Sequence, residues 1–328
     1  MRKAIHAALA VSVITLTGFT ASSVQAGPLK VVASFSIIAD FAKNVGGERI
    51  DLTTLVGPNG DAHAFEPKPA DAVAMAKADV VLVNGLHFEG FLQRLVEASA
   101  TGAAVVELTK GVRAIEFPQK GDNEASASDS HSGGAHAGNE GDQHAHEDHG
   151  HGPLDPHAFQ SIANAKIYVN NIAEAFCAAD AEGCAAYRSN ADAYTQSLSA
   201  LEGEVRAAIA SIPQDKRVVI TSHDAFGYFA HEYGLTFLAP QGLSTEAEPS
   251  AADVARLVEQ ARHDKAGAIF VENITNPKLV AQIASETGLR VGGTLYSDSL
   301  SGSDGPAATY IDMMRSNVAG IKSAILGS

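Results

Sequence analysis

Short apolar runs alternate along most of this chain with stretches whose apolar residues recur every three to four positions. Leu29–Phe35 reads as a strand, Ile37–Val45 as a helix stopped at Gly46-Gly47, and Ile50–Val56 as a second strand ended by Gly57-Pro58-Asn59-Gly60. Helix over Pro69–Ala78, strand over Val80–Asn84, helix around Phe88–Glu97 and a strand seeded by Val105 and Val106 complete a first series. A second series places strands at Arg217–Thr221, Leu235–Leu238, Ala268–Val271 and Val291–Leu295, with helices at Ala225–Tyr233, Ser250–His263, Pro277–Thr287 and Ala307–Leu326. Strand and helix in alternation predict parallel sheets with helical crossovers, an α/β architecture.

Between the two series lie two helical stretches, Phe159–Phe176 and Ala185–Ile212. In the second, Tyr187, Ala191, Tyr194, Leu198, Leu201, Val205 and Ile209 form one stripe, closed by Pro213. At ~1.5 Å per residue that helix is about 40 Å long, more than a small domain needs. The fold expected is therefore two parallel-sheet α/β lobes, 27–184 and 213–328, joined by a single long helix, 185–212.

Two segments break the pattern. Residues 119–152 hold no Val, Ile, Leu, Met, Phe, Trp, Tyr or Cys and cannot bury a core, so a disordered surface loop is expected. Residues 1–26 carry Arg2 and Lys3, an apolar run from Ala4 to Phe19, and the small-residue site Val24-Gln25-Ala26, the layout of a signal peptide. The apolar run is shorter than the ~20 residues of a membrane span. No Cys follows the site, so the mature chain is expected in the periplasm without a lipid anchor.

Charge and composition narrow the function. The net charge of −15 becomes −17 once Arg2 and Lys3 are removed, which repels phosphate backbones and argues against nucleic acid as a partner. Trp is absent and aromatics are 6%, which argues against a sugar-stacking site. The two cysteines, Cys177 and Cys184, suit a structural disulfide in an exported chain, adding roughly 2–3 kcal/mol of stability. A two-thiolate metal site is the alternative, but no His adjoins the pair.

The chemistry lies in the histidines. His63 follows the second strand, His157 stands where order resumes after the insertion, and His223 ends a strand of the second series. Each adjoins or neighbours an acid, Asp61, Asp155 or Asp224, that could orient its ring. Asp298 stands just past another strand. The carboxyl ends of strands are where open α/β sheets hold ligands. Three imidazoles and a carboxylate make a four-ligand Zn²⁺ site. His131, His136, His144, His146, His149 and His151 lie in the insertion and suit weak accessory metal sites. His87, His231 and His263 are read as surface or packing residues, His231 on roughly the same helical face as His223.

Asp61-Ala62-His63-Ala64-Phe65-Glu66-Pro67, Asp155-Pro156-His157, His223-Asp224-Ala225-Phe226-Gly227-Tyr228-Phe229, Ser244-Thr245-Glu246-Ala247-Glu248-Pro249-Ser250 and Asp298-Ser299-Leu300 occur in this order. Together they resemble the zinc-specific, ZnuA-like solute-binding proteins of bacterial ABC importers, over the whole mature chain. The resemblance implies two lobes on a rigid helix, with the metal between them held by His63, His157, His223 and Asp298. Manganese-selective members carry a carboxylate at the third ligand position, where this chain has His223. The His-rich insertion is a feature of the zinc branch. Lys68 departs from the family, which often has a small hydroxyl residue there; it is expected to project into solvent.

The function expected is a monomeric, non-enzymatic Zn²⁺-binding component that serves an inner-membrane ABC permease and exchanges metal with a periplasmic zinc chaperone. A zinc hydrolase, or a zinc buffer or adhesin without a transporter, are the alternatives. Four protein ligands leave no open position for a catalytic water, which counts against the hydrolase. Asp298, in a Ser/Gly/Asp-rich segment ending at Gly305, is expected to be the ligand that swings away on release.

Overall fold

Apolar runs without alternation belong to strands covered on both faces, as at Leu29–Phe35, Val80–Val83 and Ala268–Glu272. The structure is a computed structural model and describes residues 27–117 and 154–327. The proposed signal peptide and the six insertion histidines lie outside the described residues. The first sheet holds β1 (Leu29–Phe35), β2 (Ile50–Val56), β3 (Val80–Val83) and β4 (Ala104–Glu107), in the order β2-β1-β3-β4 and all parallel. Its helices are α1 (Ser36–Gly46), α2 (Pro69–Lys77), α3 (Leu92–Ser99) and α4 (Ile162–Ala179). Every residue of β3 is buried, and all but Lys30 of β1.

The second sheet repeats the order, β6-β5-β7-β8, again parallel, from β5 (Val218–Ile220), β6 (Thr236–Leu238), β7 (Ala268–Glu272) and β8 (Val291–Leu295). It carries α6 (Gly227–Tyr233), α7 (Ala251–His263), α8 (Pro277–Thr287) and α9 (Tyr310–Leu326). Gly292 in β8 abuts the ring of Phe270, and any side chain there would collide with it. Between the sheets runs α5 (Cys184–Ala210), which packs on α1, α4 and α9. All seven residues of its sequence stripe are buried. One continuous apolar core runs from β1 and α1 through α4 and α5 into α6, β7, β8 and α9. A second, smaller core lies beneath α7 and α8. Cys177 and Cys184 form a disulfide joining the end of α4 to the start of α5.

Helix starts follow local chemistry. Ser161, Ser250, Asn276 and Thr309 cap α4, α7, α8 and α9 with side-chain oxygens. At α2 the capping position falls to Lys68, which is exposed and has no oxygen to offer; the Asp71 carboxylate instead accepts the Lys68 amide at 2.7 Å. Three expectations need correction. The third helix begins at Leu92 and not near Phe88, because Gly85, Leu86 and His87 all have left-handed backbone and Glu89 folds back to accept the Asn84 amide. The last helix begins at Tyr310, where Thr309 caps it. Helix α6 begins at Gly227, so His223 lies in the turn before it and shares no helical face with His231. His87, His231 and His263 are all exposed.

Candidate metal centre

The loops after β2, β5 and β8 and the turn before α4 converge between the two sheets, and each delivers one of the four residues singled out from sequence. Asp61 folds the first loop: its Oδ1 accepts the amides of His63 at 2.9 Å and Ala64 at 3.4 Å. The edge of the Phe88 ring closes the back of His63, with centroids 4.7 Å apart. Asp155 does more for His157. Its Oδ1 accepts the His157 amide at 2.9 Å and stands 2.8 Å from Nδ1, so the ring donates from Nδ1 and offers the Nε2 lone pair to the centre. Asn84, at the end of β3, donates to the Pro156 carbonyl at 2.8 Å and accepts from Tyr168 at 2.6 Å, fixing that turn to the sheet.

His223 takes its orientation from a residue that sequence reading missed. Glu272, the last residue of β7, accepts the amides of Ser222 at 2.8 Å and His223 at 2.9 Å. Its other oxygen lies 2.5 Å from His223 Nδ1, outside hydrogen-bonding geometry. The neighbouring Asp224 was the acid expected to orient this ring. The signal that could have found Glu272 is an acid ending the buried run Ala268-Ile269-Phe270-Val271. Asp298 follows β8 and turns both oxygens inward. Oδ2 lies 3.0 Å from His223 Nε2 and 3.2 Å from His63 Nε2, and Oδ1 lies 3.7 Å from His157 Nε2. The Nε2 atoms of His63 and His157 are 3.3 Å apart.

One ligand atom from each of the four falls within 4.8 Å of the others, and all four side chains are wholly buried. A tetrahedron with ligand bonds of ~2.0–2.1 Å has edges of about 3.3 Å, so most of these separations match those of a shared cation. Asp298 Oδ1 is buried without a hydrogen-bond partner, a cost that a cation would relieve. The electrostatics agree. Burial lowers the affinity of His63 for a proton. Burial opposes protonation of His157 and His223 too, but it is outweighed. Asp298 and Asp155 push His157 up to about 9, and Glu272 and Asp298 hold His223 well above the usual range. Asp298, despite burial, is held far below the ordinary carboxylate range by His157 and His223. In the metal-free centre the protons on His157 and His223 balance the Asp298 charge, the place a bound cation would take.

The expected swing of Asp298 meets resistance. Leu300 donates its amide to Ser36 Oγ at 3.0 Å, Asn59 donates to the Leu300 carbonyl at 2.8 Å, and Gln160 donates to the Ser297 carbonyl at 2.5 Å. The segment that carries Asp298 is fastened across the lobe boundary at three points.

The chain is similar to known proteins over most of its length. Residues 31–324 match the family described as "Zinc-uptake complex component A periplasmic". The manganese-binding lipoprotein MntA of Halalkalibacterium halodurans is 31% identical over 299 residues, 91% of this chain and 89% of that protein. The metal ABC transporter substrate-binding lipoprotein FimA of Streptococcus parasanguinis is 30% identical, covering 96% of this chain and 97% of its own length. The structure of the periplasmic zinc-binding protein TroA from Treponema pallidum superposes with a TM-score of 0.76 at 26% identity, over 91% of this chain and 99% of that one. The names correct one expectation. Both curated relatives are called lipoproteins, against the reading of a chain without a lipid anchor. That reading rested on the missing Cys after residue 26, and the start of a sequence is no measure of anchoring. These are solute-binding proteins and not enzymes, which removes the hydrolase alternative. The chain belongs to the ZnuA family, the metal-binding substrate-binding components of ABC importers.

Proposed function

We propose that the cargo of this importer component is Zn²⁺, bound one ion per chain by Nε2 of His63, His157 and His223 and a carboxylate oxygen of Asp298. The observation that carries this reading is the composition of the buried cluster: three imidazoles and a single carboxylate. Imidazole suits zinc, whereas manganese favours a shell richer in oxygen. Four protein ligands also close a tetrahedral zinc site with no position left for water. In this reading the first lobe, 27–184, supplies His63 and His157, and the second, 213–328, supplies His223 and Asp298, with 185–212 between them. The ion passes from this site to a membrane permease. The histidines from His131 to His151 serve as weaker sites beside it.

Manganese is the competing cargo, since the MntA relative is named for it. Both Asp298 oxygens face the cluster, so a larger ion has a fifth ligand within reach. Equilibrium competition decides between the two. The mature chain is loaded with zinc and challenged with excess manganese, and bound metal is counted. One zinc per chain that manganese does not displace supports the proposal. Zinc displaced by that excess, with one manganese bound per chain in its place, overturns it.

A further inference from the structure

Asp61-Ala62-His63 and Asp155-Pro156-His157 are built alike, and each is gripped from the opposite lobe. In both turns the aspartate Oδ1 accepts the amide of the histidine two residues on, at 2.9 Å. Thr245, in the loop between β6 and α7, donates its hydroxyl to the other oxygen of Asp61 at 2.5 Å. Tyr228, on α6, donates its phenol to the backbone carbonyl of Asp155 at 2.8 Å and accepts the Ile115 amide at 3.2 Å. The approach beside Tyr228 is so close that a Cβ on Gly227 would collide with the Asp155 carboxylate. Neither hydroxyl is assigned to the metal cluster. Each reaches it through one aspartate and one histidine.

We propose that Thr245 and Tyr228 are positioning residues through which the second lobe sets the two histidines of the first, and so govern how long the metal stays. The proposal rests on the reading of His63, His157, His223 and Asp298 as the ligands. Its physical basis is that ligand strength depends on where the ring is held, and the groups behind a ring do that holding. Asp61 cannot shift while both its oxygens are engaged, one within its own turn and one by Thr245. The Asp155 turn is held in the same way by Asn84 beneath it and Tyr228 across from it.

Thr245 is the cleaner of the two to test. It is only half-buried and lines an open cleft of about 700 Å³ between α7 and α8 that also touches Asp61 and Ser222. It contributes nothing to either apolar core. A valine there keeps the shape and removes one hydrogen bond. Tyr228 is buried, and phenylalanine in its place leaves the Ile115 amide and Asp155 carbonyl without that partner, so its fold must be monitored as well.

The experiment is stopped-flow transfer of zinc from the loaded chain to a chromogenic chelator, for wild type, Thr245→Val, Thr245→Ser and Tyr228→Phe. Metal-free melting temperatures are measured alongside. Both Thr245→Val and Tyr228→Phe are expected to bind one zinc and release it about tenfold faster, the effect of one lost hydrogen bond to a charged or buried acceptor. Thr245→Ser restores the wild-type rate, and the metal-free melting temperature of Thr245→Val falls by no more than the loss of one half-buried hydrogen bond, far from unfolding at the assay temperature. Release at the wild-type rate from Thr245→Val, or failure of serine to rescue, overturns the proposal. So does faster release explained by a larger fall in the metal-free melting temperature. A His63→Ala control that keeps its full zinc content refutes the ligand assignment itself, a different result from a variant that binds one zinc and holds it as long as wild type.

Discussion

Zinc and protons compete for the same nitrogens here, and the structure sets the exchange ratio. In the metal-free protein at pH 7, His157, with its affinity pushed up to about 9 by Asp298 and Asp155, and His223, held well above the usual imidazole range by Glu272 and Asp298, are both protonated. His63, lowered by burial, is neutral, and Asp298 is ionised. Loading zinc on all four therefore expels two protons per ion, one from each protonated ring. By linkage, the apparent dissociation constant should fall about a hundredfold for each pH unit gained between pH 7 and 8. Unperturbed imidazoles, titrating near ~6.5, would give almost no dependence in that window. The sign for the metal-free fold is opposite. The raised histidines stabilise it fully below pH ~6.5, and that contribution is lost as pH rises through about 9. The assay is calorimetric titration with zinc in buffers of different ionisation enthalpy, which counts released protons directly. A count near zero, with affinity flat from pH 7 to 8, refutes the coupling of His157 and His223 to Asp298.

Other expectations are simpler to check. Asp298→Asn removes the only carboxylate of the cluster and should abolish tight zinc retention through gel filtration; unchanged retention would remove Asp298 from the ligand set. Deleting 121–151 should leave one tight zinc per chain by elemental analysis and remove only weaker binding. Replacing both Cys177 and Cys184 with alanine should cost roughly 2–3 kcal/mol in denaturant unfolding while zinc affinity is retained. Glu272→Gln keeps the size of a buried group that fixes the His223 turn. It should weaken zinc binding with only a modest change in melting temperature, and equal losses in both would make it purely structural.

Much of this was legible in the residues because two signals are local. The stripe from Tyr187 to Ile209 repeats at helical spacing, and all of it is buried in one 27-residue helix. His63, His223 and Asp298 follow strands and His157 precedes a helix, and strand ends are where an α/β sheet concentrates its ligands. Long-range pairing was not legible. Glu272 and His223 are 49 residues apart, and sequence offered Asp224 because it is adjacent. The start of α3 was misplaced because Phe88, Leu92 and Leu95 keep helical spacing, while the left-handed backbone at Leu86 and His87 leaves no mark in hydrophobicity. Nor does a polar segment reveal its fastenings: Ser297 to Leu300 reads as loose, yet its bonds to Ser36, Asn59 and Gln160 come from the other half of the molecule.

The unbroken apolar interior has a consequence for how cargo leaves. Two halves that share one interior through α5 and α9 have no thin strap on which to fold open like a book. Parting them would wet the rings of Phe41 and Tyr310, which pack edge to face across that seam, at about 2–3 kcal/mol for each ring. Release of the ion then falls to movement of the loops at the strand ends, with the shared interior kept closed. How firmly those loops are fastened, as Asp61 is by Thr245 and Asp155 by Tyr228, then matters more to the stay of the ion than any opening of the whole molecule.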